Sequence, residues 1–419
     1  MQTVVVDIRA NHDTGVARYG QSLLKALVPH LKDHGLRIVV VAGGAQIDHA
    51  HSAAALAPPG HVHVEVCPDH DGFVRRSRQV RDVIRASGAD LFFTTHYLVD
   101  RECPAPFVVT IHDLTRLRFP GASYSDESFA ARFGKEELAL LEVELRALSA
   151  WDEPSHDGEE RFHRYFRAVN RYLAENATRV VTVSAASADD LRTTLGVRRE
   201  RISLIPAGVD TSIFHPRSSG VVTCVRRHYG ITGPYCLFVG LTHPNKRFPW
   251  LVRSLLERRS ALPRGMKLVA VGGHAERTPG IYELIADLRG HDFVVFTGRA
   301  TDEELAALYT GASALLVASL NEGGSLPAIE ALACGCEVVA TDILPLRETL
   351  NGSAHFYQLN DADALANLTA AAITEQLVPR APSFAPPTWE DAGARLAKVL
   401  KIALNERSSL CPTDGAMRS

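Results

Sequence analysis

Apolar and polar positions come in alternating blocks along this chain. Short β-branched or apolar runs at 3–8, 37–41, 61–67, 91–95, 107–111, 179–183 and 202–205 are separated by stretches with helical spacing, the first at 16–31. Several runs are apolar throughout, the pattern expected when both faces of a sheet are covered. Strand–helix alternation of this kind predicts a parallel, doubly wound sheet. The pattern lapses after Pro206, through His215-Pro216 and Ser218-Ser219-Gly220. It then restarts with runs at 235–239, 267–271, 293–296, 314–318 and 337–340. A polar, Pro/Gly-containing stretch between two such series reads as a linker. The chain is therefore expected to hold two Rossmann-like α/β domains, at 1–210 and 221–388.

Two stretches break the regularity. Residues 121–176 form a charged, largely helical excursion with a loop-like centre at 151–158. It is a candidate for acceptor contact, and a solvated helical hairpin would show the same pattern. After a proline-rich segment (Pro379, Pro382, Pro386, Pro387), helical spacing returns at 389–404. A further helix is expected at 389–406. Residues 407–419 carry no apolar period and are expected to be mobile.

Composition narrows the function classes. With 419 residues, 46% of them hydrophobic, there is material for two cores. The net charge of −3 gives no sign of nucleic-acid binding. The start, Met1-Gln2-Thr3-Val4, has no basic leader before an apolar stretch. No run approaches the ~20 apolar residues of a membrane span. A cytoplasmic protein is expected, with peripheral membrane contact left open. The seven cysteines are scattered, which points away from a zinc site or a disulfide scaffold. Cys334-Gly335-Cys336 is expected to pack beside a helix end.

The densest chemistry follows the run at 314–318. Glu322-Gly323-Gly324-Ser325-Leu326-Pro327 leads into a helix that carries Glu330 and stops near Gly335. Glycines let a backbone approach a ligand, and free amides at a helix start favour an anion. Pro327 suits the first helical turn and Gly335 the end. Glu322 could accept hydrogen bonds from sugar hydroxyls, and Glu330 could hold a ribose diol. Spacing alone favours a blander arrangement, with Glu322 capping the helix and Glu330 facing solvent.

The full pattern is more specific. Residues 322–340 read E-G-G-S-L-P-A-I-E-A-L-A-C-G-C-E-V-V-A. This resembles the E-x7-E signature of glycosyltransferase family 4, roughly E-G-F-G-L-P-x-x-E-A-M-A-C-G-x-P-V-V-A. Phe238 to Arg247 is similar to the family's V-G-T-x-x-P-R-K-N segment, which places Lys246 on the diphosphate-binding lysine. Asn245 replaces a frequent arginine, with Arg247 available to supply the missing cation. Thr297-Gly298-Arg299 and the following Thr301 to Leu305 resemble the segment whose loop approaches the nucleobase. Thr301 with Glu304 also fits a capping box.

Earlier segments extend the resemblance. Gly15-Val16-Ala17-Arg18-Tyr19 looks like the family's G-[IV]-[GA]-R-Y turn. Ile111-His112-Asp113 matches its I-H-D segment, where the histidine sits near the transferred sugar. Val183 to Leu191 and Ile202 to Asp210 look like V-S-x-x-S-x-x-D-L and I-x-V-I-P-N-G-V-D, with Ala207 in place of the asparagine. The resemblance implies a GT-B fold, two Rossmann-like domains facing a cleft, with a C-terminal helix crossing back to the first domain. It implies a retaining hexosyltransferase that uses a nucleotide diphosphate sugar as co-substrate, with no cofactor and no essential metal. His112, Lys246 and Glu322 would be catalytic. Gly15, Asn245, Arg247, Gly298, Arg299, Gly323, Gly324, Ser325, Leu326 and Glu330 would bind donor or substrate. The acceptor would be a polysaccharide, a lipid-linked glycan or a small metabolite.

Three other classes share parts of this pattern. An epimerase or phosphorylase of the same fold is disfavoured by the E-x7-E loop and by the lack of a pyridoxal-phosphate lysine motif. A non-catalytic relative is disfavoured by the presence of Glu322, Glu330, Lys246 and His112. A dehydrogenase would need G-x-G-x-x-G after the first strand, where the chain reads Asn11-His12-Asp13-Thr14-Gly15. Asp361-Ala362-Asp363 looks like a D-x-D metal motif, but its place before a helix suits capping.

Overall fold

A computed structural model describes residues 1–10, 14–68, 73–153, 158–240, 243–272, 280–377 and 384–410. It divides the chain into two compact units, Met1–Ala207 with Trp389–Ser419, and Gly208–Thr388. Asn11, His12, Asp13, Pro379, Pro382 and residues 411–419 of the expected mobile tail lie outside the described residues, as do Leu241, Thr242 and 154–157.

The first unit is built on β1 (Gln2–Asp7), β2 (Leu36–Ala42), β3 (Val62–Val66), β4 (Leu91–Thr94), β5 (Phe107–Thr110), β6 (Arg179–Thr182) and β7 (Ile202–Leu204). Among the described residues they form one parallel sheet in the order β3-β2-β1-β4-β5-β6-β7. Successive side chains on a strand point to opposite faces. Val5, Val41, Phe92, Val109 and Val180 enter one core, while Val4, Val6, Val40, Phe93, Val108 and Val181 enter the other. Covering both faces is what requires continuous apolar runs rather than alternation.

The helical excursion covers one of these faces. Its helices Asp126–Phe133, Lys135–Ala147 and Arg161–Asn176 bury Phe129, Leu141, Leu145, Phe162 and Leu173 in the core that contains Val5 and Phe92. The excursion is a packed layer, and the solvated-hairpin alternative does not hold. A buried carboxylate joins it to the helix Phe73–Ser87: the backbone amide of Val74 donates to Glu137 Oε1 at 2.8 Å.

The other face is covered by the helices Gly15–Leu27 and Trp389–Leu410. Leu23, Leu27, Leu396, Leu400 and Leu404 all contribute to that core. The closing helix thus belongs to the first unit, as the family resemblance implied. It runs on to Leu410, so residues 407–410 are helical rather than part of a mobile tail. Gly393 sets the approach of the two helices: a Cβ there would lie 2.1 Å from the carbonyl oxygen of Ala26.

The second unit is built on β8 (Tyr235–Val239), β9 (Lys267–Val271), β10 (Val294–Gly298), β11 (Ala314–Val317), β12 (Val338–Thr341) and β13 (His355–Tyr357). Their order is β10-β9-β8-β11-β12-β13, again parallel among the described residues. β13 was not anticipated; it has three residues, too few to show a period, and pairs only with β12. The chain enters and leaves this unit side by side, with the Val209 amide donating to the Pro387 carbonyl at 2.9 Å.

Both sheets reverse their strand order once, between β1 and β4 and between β8 and β11. Helices leave such a pair toward opposite faces, which opens a crevice at the carboxyl ends of the two strands. Ligands of open α/β sheets collect there.

Candidate functional site

In the second unit the crevice lies between the loops that follow β8 and β11. The first loop makes a single helical turn, Pro244–Lys246, then Arg247 takes a left-handed conformation (φ 56°) that starts the helix Phe248–Leu256. The second runs from Ala318 to Ser325 and ends at the helix Leu326–Ala333. Gly240, at φ 105°, lets the chain leave β8 beside the Lys246 stem; a Cβ there would sit 3.8 Å from Lys246 Cε.

Lys246 Nζ donates to Glu322 Oε1 at 2.5 Å. Ser319 Oγ donates to the same oxygen at 2.6 Å. Two donors on one carboxylate oxygen fix the group and leave Oε2 without a partner among the described residues. Glu322 is buried and caps no helix: the cap position is Ser325, whose hydroxyl makes no capping bond. The amides of Gly323, Gly324 and Ser325 donate to no described residue. Lys246, Ser319, Ser325 and Pro327 line one small pocket at the ends of β8 and β11. An ammonium, a fixed carboxylate and free amides beside a helix start suit a ligand that carries both an anion and hydroxyls.

Asn245 has a different role from the cationic contact its position suggested. Its side-chain amide donates to the Asn321 carbonyl at 2.6 Å and accepts from the Asn321 amide at 3.1 Å. The Leu320 amide donates to the Asn245 carbonyl at 3.0 Å. Asn245 therefore stitches the two loops together and sets the register of Lys246 against Glu322. Arg247 does not replace the missing cation beside Glu322. Its guanidinium stacks on Trp250 at 4.1 Å and donates to Asn360 Oδ1 at 2.5 Å.

Glu330 lies one turn into the helix Leu326–Ala333 and is buried, which removes the solvated-face alternative. Tyr309 Oη donates to Glu330 Oε2 at 3.3 Å. Leu326 is buried in the first turn of the same helix. Gly298 closes β10 in a left-handed conformation (φ 67°), and Arg299 after it is exposed. Thr301 and Glu304 form the reciprocal capping box that their spacing suggested. Asp361 accepts from the Ala364 amide at 2.9 Å, as a cap does, and Asp363 pairs with Arg258. Among the described residues, no three His, Cys, Asp or Glu side chains are grouped as metal ligands. Cys334 and Cys336 are buried free thiols beside the helix end; burial pushes Cys334 up to about 12.

In the first unit, His112 follows β5. Its Nε2 lies 2.9 Å from the Thr95 carbonyl. A carbonyl can only accept, so Nε2 carries the proton and Nδ1 is left as the acceptor in the neutral ring. Burial holds this imidazole below its usual range, offset in part by the Thr95 hydrogen bond. The ring packs edge-on against the buried Tyr19 at 4.9 Å. Tyr19 in turn meets Trp389 at 5.8 Å and donates to the Ile205 carbonyl at 3.0 Å. Gly15 opens its helix behind the Thr14 cap and is exposed.

Sequence reasoning missed Ser319, Asn321 and Tyr309, which show no signal of their own without their partners.

Residues 15–213 match the profile of Glycosyltransferase Family 4, and residues 233–375 that of Glycosyl transferases group 1. The chain belongs to glycosyltransferase family 4. This family 4 chain is 32% identical over 229 residues to the MMP alpha-(1->4)-mannosyltransferase of Mycolicibacterium hassiacum, covering 55% of this chain and 52% of the relative. It is 35% identical over 177 residues to the D-inositol 3-phosphate glycosyltransferase of Acidothermus cellulolyticus, covering 40% and 39%. It thus spans about half the length, or less, of the curated relatives it matches. Anabaena Alr3699/HepE, solved in complex with UDP and glucose, superposes with a TM-score of 0.62 at 16% identity, covering 98% of both chains. At that identity the likeness is one of fold, and the fold is GT-B.

Proposed function

We propose that this family 4 chain transfers a hexose from a nucleotide diphosphate sugar to an acceptor hydroxyl, with retention of anomeric configuration and without an essential metal. The observation that carries the reading is the Lys246–Glu322–Ser319 cluster at the β8/β11 crevice, with the buried Glu330 one turn into the adjoining helix. Relatives named as mannosyltransferases and as D-inositol 3-phosphate glycosyltransferases support a hexose donor.

In this reading Lys246 and the amides of Gly323, Gly324 and Ser325 hold the diphosphate. Glu322 Oε2 accepts from a sugar hydroxyl, and Glu330 accepts from the ribose. The bond between the anomeric carbon and the diphosphate oxygen breaks while the acceptor oxygen bonds to the same face of that carbon. The acceptor's proton passes to the departing diphosphate. The protein's contribution is charge stabilisation and positioning. His112 Nδ1 contacts the sugar hydroxyls. A cytoplasmic site of action is part of the proposal; among the described residues no helix is long and apolar enough to cross a membrane.

Binding of UDP, GDP, ADP and dTDP, followed by the shift of the melting temperature, identifies the donor class, since a bound product stabilises the folded chain. Transfer and hydrolysis assays with the matching nucleotide sugars then test the chemistry, in the presence of a metal chelator and with the product anomer read by NMR. Unchanged transfer in Glu322→Ala would overturn the site assignment. An inverted product would overturn retention.

A further inference from the structure

Each sheet ends in two edge strands, and the four edges are not alike. β7, β10 and β13 carry no exposed residue. β3 carries three: His63, Glu65 and Val66, the last 48% exposed. Its one neighbour in the sheet is β2.

The hydrogen bonding of β3 divides by parity. The Ile38 amide donates to the His61 carbonyl at 2.7 Å, and the Cys67 amide donates to the Ala42 carbonyl at 2.9 Å. These bonds bracket a register that pairs Ile38 with Val62 and Ala42 with Val66. In a parallel ladder alternate residues of a strand bond to a given neighbour. His61, His63, Glu65 and Cys67 therefore face β2. The amides and carbonyls of Val62, Val64 and Val66 face outward, with no partner among the described residues. Natural edges are commonly blunted by lysine, proline or a bulge. β3 has none of these, and its register with β2 is unbroken.

The strand is also self-complementary. Val62-His63-Val64-Glu65-Val66 can lie antiparallel against a second copy about a two-fold axis at Val64. Val64 then meets Val64, Val62 meets Val66, and His63 meets Glu65. The outward-facing valines fall at hydrogen-bonded pairs, with two N–H···O bonds at each pair. His63 and Glu65 fall at the non-hydrogen-bonded pairs, where side chains come closest. An imidazole N–H donates to a carboxylate in either charge state of the ring. His63 Nε2 already lies 3.6 Å from Glu65 Oε2 of its own strand, so the two share one face. On the other face Val62 and Val64 pack against the core that contains Val4 and Leu23. Pairing would extend that apolar face and cover Val66. Moving the axis by one residue would set His63 against His63 or Glu65 against Glu65, so charge selects the axis at Val64.

We propose that this protein forms a two-fold dimer in which β3 pairs antiparallel with β3 of a second copy, centred on Val64, joining two seven-stranded sheets into one. Such a contact consumes the open edge of both copies and closes on itself, so assembly stops at two. Dimerisation through β3 is independent of the transferase reading.

Sedimentation equilibrium of the full chain, from about 1 to about 300 µM, reads the association. Five paired residues bury less than the ~1,600 Å² of a standard interface, so a concentration-dependent dimer is expected. A chain that stays monomeric throughout, or that grows beyond two copies, overturns the proposal. Val64→Pro removes an outward amide that β2 does not use, and should weaken the dimer about tenfold or more. His63→Glu sets carboxylates against each other and should weaken it about fivefold or more. His63→Glu with Glu65→His restores the opposed pairs, and should return the dissociation constant to within about twofold of the parent chain. Should Val64→Pro fail to fold, the two charge variants, on an exposed face, carry the test alone. A dimer that His63→Glu leaves intact forms through another surface and overturns the proposal. Loss in His63→Glu without recovery in the double variant overturns the register about Val64.

Discussion

The two crevices are built on the same topology and prepared in opposite ways. In the second unit the groups at the strand ends are engaged with one another before any ligand arrives. Lys246, Ser319 and Glu322 share one oxygen, and Asn245 ties their loops together. In the first unit the strand-end histidines are held by backbone and by packing: His112 by the Thr95 carbonyl and the Tyr19 ring, His96 by the Tyr97 ring at 4.0 Å. A site wired by its own side chains recognises one chemistry repeatedly. A site held from behind can present different side chains to different ligands on one scaffold. In the proposed reading the constant half of the reaction falls to the second unit and the variable half to the first.

The largest effect is expected where the wiring carries charge. Lys246→Ala should lower kcat for sugar transfer about 100-fold or more, the order seen when one donor to a developing anion is removed. Steady-state kinetics with the preferred donor measures it, and a loss under tenfold would dissolve the contrast. Asn245→Ala removes both bonds to Asn321. It should destabilise the second unit by about 1–3 kcal/mol and raise the donor KM, read from urea unfolding and from kinetics. A normal KM would show that the clasp is not what aligns Lys246 and Glu322.

The next effect concerns pH and the first unit. Burial holds His96 and His112 below the ordinary value of 6.5 in the folded chain. The unfolded chain therefore takes up protons first as pH falls. Full stability is expected above about pH 6.5, with progressive loss below it as pH moves down toward the folded-state values. His96→Gln should flatten that slope in thermal melts recorded from pH 8 to 5, and an unaltered slope would remove His96 from the account. The smallest effect belongs to Thr301→Ala, which should cost about 1 kcal/mol through loss of the cap and leave the donor KM untouched. A raised KM would make this segment part of the site rather than its frame.

The legibility of these features follows from how local their causes are. Buried parallel strands are legible because covering both faces demands apolar runs; twelve of the thirteen described strands fall on apolar or β-branched runs, Val62–Val66 among the latter, and His355–Tyr357 is too short to show one. Lys246, Glu322 and Glu330 were legible because each sits in a local pattern of glycine, proline and carboxylate. The Asn245–Asn321 clasp was not, because it joins positions 76 apart through main-chain atoms that any residue has. The excursion stays open between two readings in the sequence because its charged positions outnumber the stripe of Phe129, Leu141, Leu145, Phe162 and Leu173 that packs it into the core. Gly393 is unremarkable until Ala26 is set against it.

The helix Trp389–Leu410 has a consequence for how the protein is made. The second unit is inserted, in chain order, between two pieces of the first. Leu396, Leu400 and Leu404 complete a core whose other members, Leu23 and Leu27 among them, are translated hundreds of residues sooner. On the ribosome the second unit can close while the first still shows an uncovered apolar face, and that nascent face is where a chaperone would be needed longest.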